Sequence, residues 1–512
     1  MRNFYARFLI LTDEIERTYS VHHWWVGDVP VWPVARAALY LNLYRQSVQG
    51  LQQQPHVLRP NPLFGRIGRA ARYAATPLIN AWRSRRDLQN MVVFPRRADV
   101  LFLGDGEWLE QIDGVWCDRL CDPLISHLHE KGVSTLLMQR GDLRLPWSRP
   151  TFAANTIVNW ARLFAVGSGL SKRLARRLPD HERVMEFLRA NGVPTDGLQT
   201  NDLSDRAAII TAGAYAFERL LKVVRPSMCI MVGYFWGMAH AMTLACRRRG
   251  VLSVELQREG RRTEAYCWSV IPESGYPVLP AVFWCWTPEE AAGIDVWCKN
   301  LNAPWHRGLH GGHPQMPQWF DDDDAQTRIS DAEIATIRAQ APADLEILVA
   351  LQDIDGHQHV WKELVALVEA APSQWRWWLR RHPRKPTRGD GGVAPLLAIR
   401  RPNVLIDEPS RRPLPALLRH MHVLLSLTSG SSVEASMFGV KPIFLTSDAL
   451  ASFPHLLETG KAEIIENMHA IEMRLRNITR EPKTRSPPPK ISDVFSRLRS
   501  MAAEYSSLCV VR

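Results

Sequence analysis

Residues 226–246 read P-S-M-C-I-M-V-G-Y-F-W-G-M-A-H-A-M-T-L-A-C, with no formal charge and enough length to cross a bilayer. They divide better into a buried strand at Met228 to Gly233, a glycine-containing turn, and a helix running from about Gly237 into Arg247, Arg248 and Arg249. The same unit recurs on either side. Short apolar runs at Asp99 to Gly104, Val133 to Met138, Leu252 to Gln257 and Val282 to Trp286 are separated by stretches of helical length. Continuous rather than alternating apolar runs are what a parallel sheet covered on both faces requires. The first half is therefore expected to be α/β.

Pro317 and the acids Asp321 to Asp324 interrupt this rhythm, and the linker between two units is expected at Met316 to Ala325. The pattern restarts with Glu346 to Leu351, Arg376 to Arg380, Asn403 to Asp407, His422 to Leu427, Lys441 to Thr446 and Lys461 to Ile465. That predicts a second doubly wound sheet, with its ligand at the carboxyl ends of the strands. The organisation expected is a helical, basic extension over 1–90, a Rossmann-like unit over 91–316, a second over 326–480, and a proline-containing tail with a last helix over 481–512. Two large units also suit a 512-residue chain, which is too long for one core.

Charge and composition limit the function classes. The net charge is +11, and 46% hydrophobic with 22% charged residues is an ordinary globular balance. Between Arg59 and Arg86 there are seven arginines and no acid, interleaved with Leu63, Phe64, Ile67, Leu78, Ile79 and Trp82. This stretch suits either an anionic membrane surface or a solvated helix packed on the first unit. No recognition motif accompanies the charge, so nucleic acid is not an expected partner. The eight cysteines form no disulfide framework and no CxxC pair, and Asp13 and Glu14 follow the short apolar N-terminus. A cytoplasmic protein, peripheral on the inner face of the membrane if it touches one, is expected.

Two constellations carry chemistry. In L-L-S-L-T-S-G-S-S-V-E-A-S-M-F-G-V-K-P (424–442), a strand ends at Leu427 and a helix starts near Ser431. The turn between them brings free backbone N–H groups and the hydroxyls of Thr428, Ser429, Ser431 and Ser432 around Gly430, a cradle for phosphate oxygens. Glu434, in the first turn, is placed to accept from ribose hydroxyls. Plain helix capping is the competing reading. The second constellation is L-R-R-H-P-R-K-P (379–386). Pro383 restricts His382 to extended conformations, and Arg380, Arg381, Arg384 and Lys385 add positive charge suited to a phosphate leaving group.

With these motifs the chain resembles the bacterial GT-B glycosyltransferases of surface and capsular polysaccharide assembly, including sialyltransferases with a His-Pro and a serine-pair motif. Trp32, Pro33 and Arg36 in P-V-W-P-V-A-R, the runs Asp99 to Gly106 and Asp113 to Leu124, the stretch Val224 to Gly260, and Gly311 to Pro314 are similar to that group in order. The resemblance implies two Rossmann-like lobes facing a central cleft. It also implies a nucleotide-sugar donor on the C-terminal side, a glycan or lipid-linked acceptor on the N-terminal side, and no cofactor or metal. Asp353, Asp355 and Asp321 to Asp324 imitate metal motifs and are discounted on that ground.

Relatives often carry Gln-His-Gly where this chain has Gln257, Arg258, Glu259 and Gly260. Gln257, Gly260 and Glu107 are therefore the acceptor-side candidates. Glu259 is the substitute base, Asp105 and Glu107 are its rivals, and His382 is the residue expected beside the departing phosphate. A 2-epimerase acting on nucleotide sugars, a glycerophosphotransferase and a non-catalytic member of the same fold remain alternatives.

Overall fold

A computed structural model describes residues 4–49, 97–112, 114–140, 146–170, 177–260, 269–272, 275–300, 306–352, 357–382, 391–478 and 483–510. The chain forms two units. The first comprises 1–258, 263–314 and 490–512, the second 259–262 and 315–489.

The first unit contains a seven-stranded parallel sheet, of strands β1 (Val100–Gly104), β2 (Thr135–Gln139), β3 (Thr151–Ala153), β4 (Met228–Val232), β5 (Leu252–Leu256), β6 (Val282–Cys285) and β7 (Arg307–His310). Their order is β7-β6-β5-β4-β1-β2-β3. Helices α1 (Phe4–Thr18), α2 (Trp32–Gln49), α3 (Asn155–Gly167), α4 (Thr200–Val224) and α5 (Gly237–Arg249) belong to it.

The second unit has six parallel strands: β8 (Leu345–Ala350), β9 (Trp375–Arg380), β10 (Val404–Leu405), β11 (Val423–Ser426), β12 (Lys441–Phe444) and β13 (Glu463–Ile464). Their order is β10-β9-β8-β11-β12-β13. Its helices include α6 (Ala325–Ala339), α7 (Gln358–Ala370) and α8 (Ser431–Met437). The final helix α9 (Ile491–Val510) returns to the first unit.

Both sheets thus contain the 3-2-1-4-5-6 order of doubly wound nucleotide-binding folds, in which the first strand is flanked by strands running to opposite edges. Two such units in one chain are the α/β, GT-B-like architecture expected from the sequence. All eleven expected strands are present, because runs such as Met228–Val232 and Leu345–Ala350 are buried along their whole length. The edge strands β3 (T-F-A) and β7 (R-G-L-H) leave no strand signal in the sequence, because both are short and partly exposed and neither shows a continuous apolar run. Residues 226–246 form β4 and α5. Among the described residues, no helix is long and apolar enough to cross a membrane.

Three boundaries differ from the sequence reading. Helices α1 and α2 do not form a body of their own: Phe8, Leu11, Ile15, Trp24 and Trp32 share the core of the first sheet. The expected linker holds a short helix, Met316–Trp319, because proline in a first turn loses no hydrogen bond. The tail divides: Ser486 N–H donates to the Met437 carbonyl at 2.7 Å, whereas α9 sets Phe495 against Trp284 and pairs Glu504 with Arg307 at 2.7 Å. The basic stretch Arg59 to Arg86 lies outside the described residues.

Candidate functional site

The switch point of the second sheet lies between β8 and β11, and the turn 428–431 leaves β11 there. Gln352, just past β8, accepts a hydrogen bond from the Thr428 N–H on its side-chain oxygen at 2.9 Å, which ties the two sides of the crevice together. The Ser429 and Ser431 hydroxyls are 2.7 Å apart, and the Ser431 N–H donates to the Ser429 Oγ. Thr428, Ser429, Gly430 and Ser431 are half-buried. Ser432 is fully buried, its Oγ 3.3 Å from that of Ser426 in β11, so it anchors the turn from beneath. Glu434 is buried in the first turn of α8. With only seven residues this helix has a modest dipole, and the hydroxyls carry most of the polar character of the turn.

Gly260 belongs to this unit and packs directly on the turn. A Cβ built on it would stand 2.5 Å from the Gly430 carbonyl oxygen and 3.0 Å from the Gly430 Cα. Glycine at 260 is required by close backbone approach, and it places Glu259, half-buried, one residue from the hydroxyl turn.

Arg380 is the last residue of β9, and Arg381 and His382 follow it. The Arg380 guanidinium donates to the carbonyls of Pro409 and Arg412, which makes it a clamp on the following segment. Arg381 and His382 are exposed at the strand end. Pro383 lies outside the described residues.

The sequence places His357, which with His359 imitates a metal ligand, in the loop Gln352 to His359 expected to line the donor side after the first strand of this unit, and it assigns no site role to Thr446 or Asp448. His357 Nε2 lies 3.3 Å from the Asp448 carboxylate and 3.4 Å from the Thr446 hydroxyl, at the carboxyl ends of β8 and β12. Their sequence signal was weak because they are 89 to 91 residues apart and belong to no motif. The imitated metal motif at 321–324 has other work: Asp324 caps α6 by accepting from Thr327 N–H at 2.9 Å, and Asp322 pairs with Arg419 at 2.7 Å.

In the first unit the equivalent switch point lies between β1 and β4. Asp105 and Glu107 follow β1, and both meet Arg258 Nη1 at 3.2 Å. The Arg258 guanidinium also covers the Phe235 ring at 4.7 Å. Burial pushes the Asp105 carboxyl up, opposed by the Glu107 N–H and the Arg258 charge. Gln257 is buried: its side chain accepts from the Trp286 N–H at 2.7 Å and donates to Glu290 at 3.1 Å. Its amide is thus committed within the sheet edge.

Below this edge lie Glu255 and Glu290, buried and each pushed up to about 8 by loss of solvation. The folded chain keeps their protons between roughly pH 4.5 and 8, where the unfolded chain has lost them. Their stabilising contribution is complete below about pH 4.5 and drains away as the pH rises through about 8. Glu255→Gln, which fixes the uncharged form, should therefore flatten the decline in urea stability between pH 6 and pH 8 by about 1–2 kcal/mol. An unchanged slope would remove Glu255 as its cause.

No family model matches the chain, and no curated protein matches its sequence. Solved structures do. The UDP-GlcNAc 2-epimerase from Neisseria meningitidis bound to UDP-GlcNAc is 13% identical, with a TM-score of 0.46 over 79% of this chain and 98% of that one. The UDP-GlcNAc 2-epimerase from Methanocaldococcus jannaschii is 11% identical, with a TM-score of 0.46 over 79% and 99%. The glycosyltransferase SnogD from Streptomyces nogalater is 15% identical, with a TM-score of 0.41 over 79% and 99%. At these identities and scores the architecture rests on the two sheets themselves.

Proposed function

We propose that the chain is a metal-independent glycosyltransferase that moves a sugar from a nucleotide-sugar donor to a hydroxyl of a surface-glycan or lipid-linked acceptor. One observation carries this reading: a turn of hydroxylated residues stands at the switch point of a doubly wound sheet, pinned by Gln352 and closed against Gly260. Thr428, Ser429 and Ser431 supply donors for the donor's phosphate oxygens, and Glu434 accepts from a ribose hydroxyl. Arg381 and His382, both exposed at the next strand's end, offset charge building on the departing nucleotide. Asp105 and Glu107 are held by Arg258, so the role of base falls to Glu259, next to the glycine that touches the turn.

The test is thermal unfolding of the purified protein with a panel of nucleoside diphosphates and nucleotide sugars, followed by product analysis. A ligand at a hundredfold over its Kd stabilises by about 2.7 kcal/mol, a readily measured rise in Tm. His382→Ala should weaken that ligand about tenfold without lowering the Tm of the free protein. No shift with any nucleotide would sink the donor site. A free, isomerised sugar nucleotide as product would leave the site standing and replace transfer by epimerisation.

A further inference from the structure

Helix α3 is turned inside out relative to an ordinary surface helix. Its sequence, N-T-I-V-N-W-A-R-L-F-A-V-G, has one charged residue, Arg162. The side chains it buries fully are Thr156, Asn159, Ala161 and Ala165, the two alanines packing with Ala208 and Ala212 of α4, while Ile157 packs half-buried on the core of the first sheet. Its bulky aromatic residues point the other way, with Trp160 50% and Phe164 62% exposed. An amphipathic helix on a protein core buries its large apolar side chains. Small residues at the helix contact with large ones outward is instead the arrangement of helices that meet lipid.

Charge says what covers this face. From 143 to 179 the sequence holds seven lysines and arginines and no acid. Among the described ones, Arg162 and Arg177 are exposed. A second copy of the same face would set Arg162, the one charged residue of α3, against itself, whereas an anionic bilayer complements both the charge and the aromatic side chains. We propose that α3 is a membrane-docking surface, Trp160 and Phe164 entering the headgroup boundary of an anionic leaflet while Arg162 and Arg177 pair with its phosphates. The assignment is independent of the transfer reaction and of the basic stretch at 59–86.

The experiment is sedimentation of the full-length protein with vesicles of phosphatidylcholine, alone or with about 30% phosphatidylglycerol. The wild type should sediment with the anionic vesicles and remain in solution with the neutral ones. Trp160→Ser with Phe164→Ser should weaken partitioning about tenfold or more, with far-UV circular dichroism and Tm unchanged. Arg162→Glu with Arg177→Glu, which leaves the aromatic residues in place, should weaken it as well and serves if the first variant does not fold. Equal sedimentation of wild type and both variants would overturn the proposal, as would a wild type that ignores anionic vesicles. A wild-type dimer by light scattering that the serine variant dissolves, without vesicle binding, would overturn it in favour of a second copy.

Discussion

Replacing Arg36 by methionine is expected to destabilise the first unit by about 3–5 kcal/mol, the cost of leaving a buried charge without its partner. The partner is Glu16 on α1, whose side chain is fully shielded and whose Oε1 lies 3.3 Å from Arg36 Nε and 3.0 Å from Trp32 Nε1. Ser269 N–H donates to the other oxygen at 2.5 Å. Burial pushes the Glu16 carboxyl up, and Arg36 is the largest influence holding it down. Without the guanidinium, Glu16 must either stay charged in a dry site or take a proton. The deficit should therefore be largest near pH 8 and shrink as the pH falls toward 5, since protonation then becomes cheap. Urea unfolding at both pH values measures this. Glu16→Gln combined with Arg36→Met should recover most of the loss, because neither member then carries charge. A double variant as unstable as Arg36→Met alone would place the cost in packing against Phe8, whose ring lies 5.4 Å from the guanidinium.

This cluster also shows where the sequence was legible and where it was not. In P-V-W-P-V-A-R, Trp32 and Arg36 stand four apart on α2, so one helical face delivers both to the same carboxylate. The motif was visible; its partner, Glu16, was not, because Trp32 and Arg36 recur locally whereas the acid is fixed only by how α1 packs on α2. The strands were legible for a related reason. A sheet covered on both faces writes its burial into consecutive residues, and β8 and β11 need no knowledge of their neighbours to be recognised. Site geometry is different in kind. That Arg258 gathers Asp105 and Glu107 follows from β5 and β1 being one strand apart in the sheet, with β4 between them, and 153 residues of chain separate Arg258 from Asp105. Hydroxyls 428 to 432 read as one cradle in sequence, yet the fold turns Ser432 inward onto Ser426, a direction set by the helix phase. Arg380 reads in the sequence as one of four cations around His382 suited to a phosphate, but carbonyls from 409 and 412 take up its guanidinium.

Gly260→Ala is expected to weaken nucleotide binding by up to about a hundredfold, the equivalent of about 1–3 kcal/mol of overpacking transmitted to the turn. The added methyl would stand 2.5 Å from the Gly430 carbonyl oxygen, and that atom is backbone, so no side chain can swing away to make room. Either residues 259 and 260 shift or the turn 428–431 moves, and the Gln352 bond to the Thr428 N–H resists the second course. Both outcomes separate Glu259 from the hydroxyls. Backbone strain does not enter, because 260 is not among the glycines held at positive φ. Gly237→Ala is the matched control: it too lacks a positive φ, and a Cβ there meets nothing within 4 Å. Isothermal titration with a nucleoside diphosphate that stabilises the wild type would then give normal affinity for Gly237→Ala and a large loss for Gly260→Ala. Normal affinity in both, with turnover lost only in Gly260→Ala, would detach the glycine contact from donor binding and assign it to the placement of Glu259 alone. Normal affinity and normal turnover in both would show that the turn tolerates displacement, and the close approach of 260 to 430 would then have no part in the site.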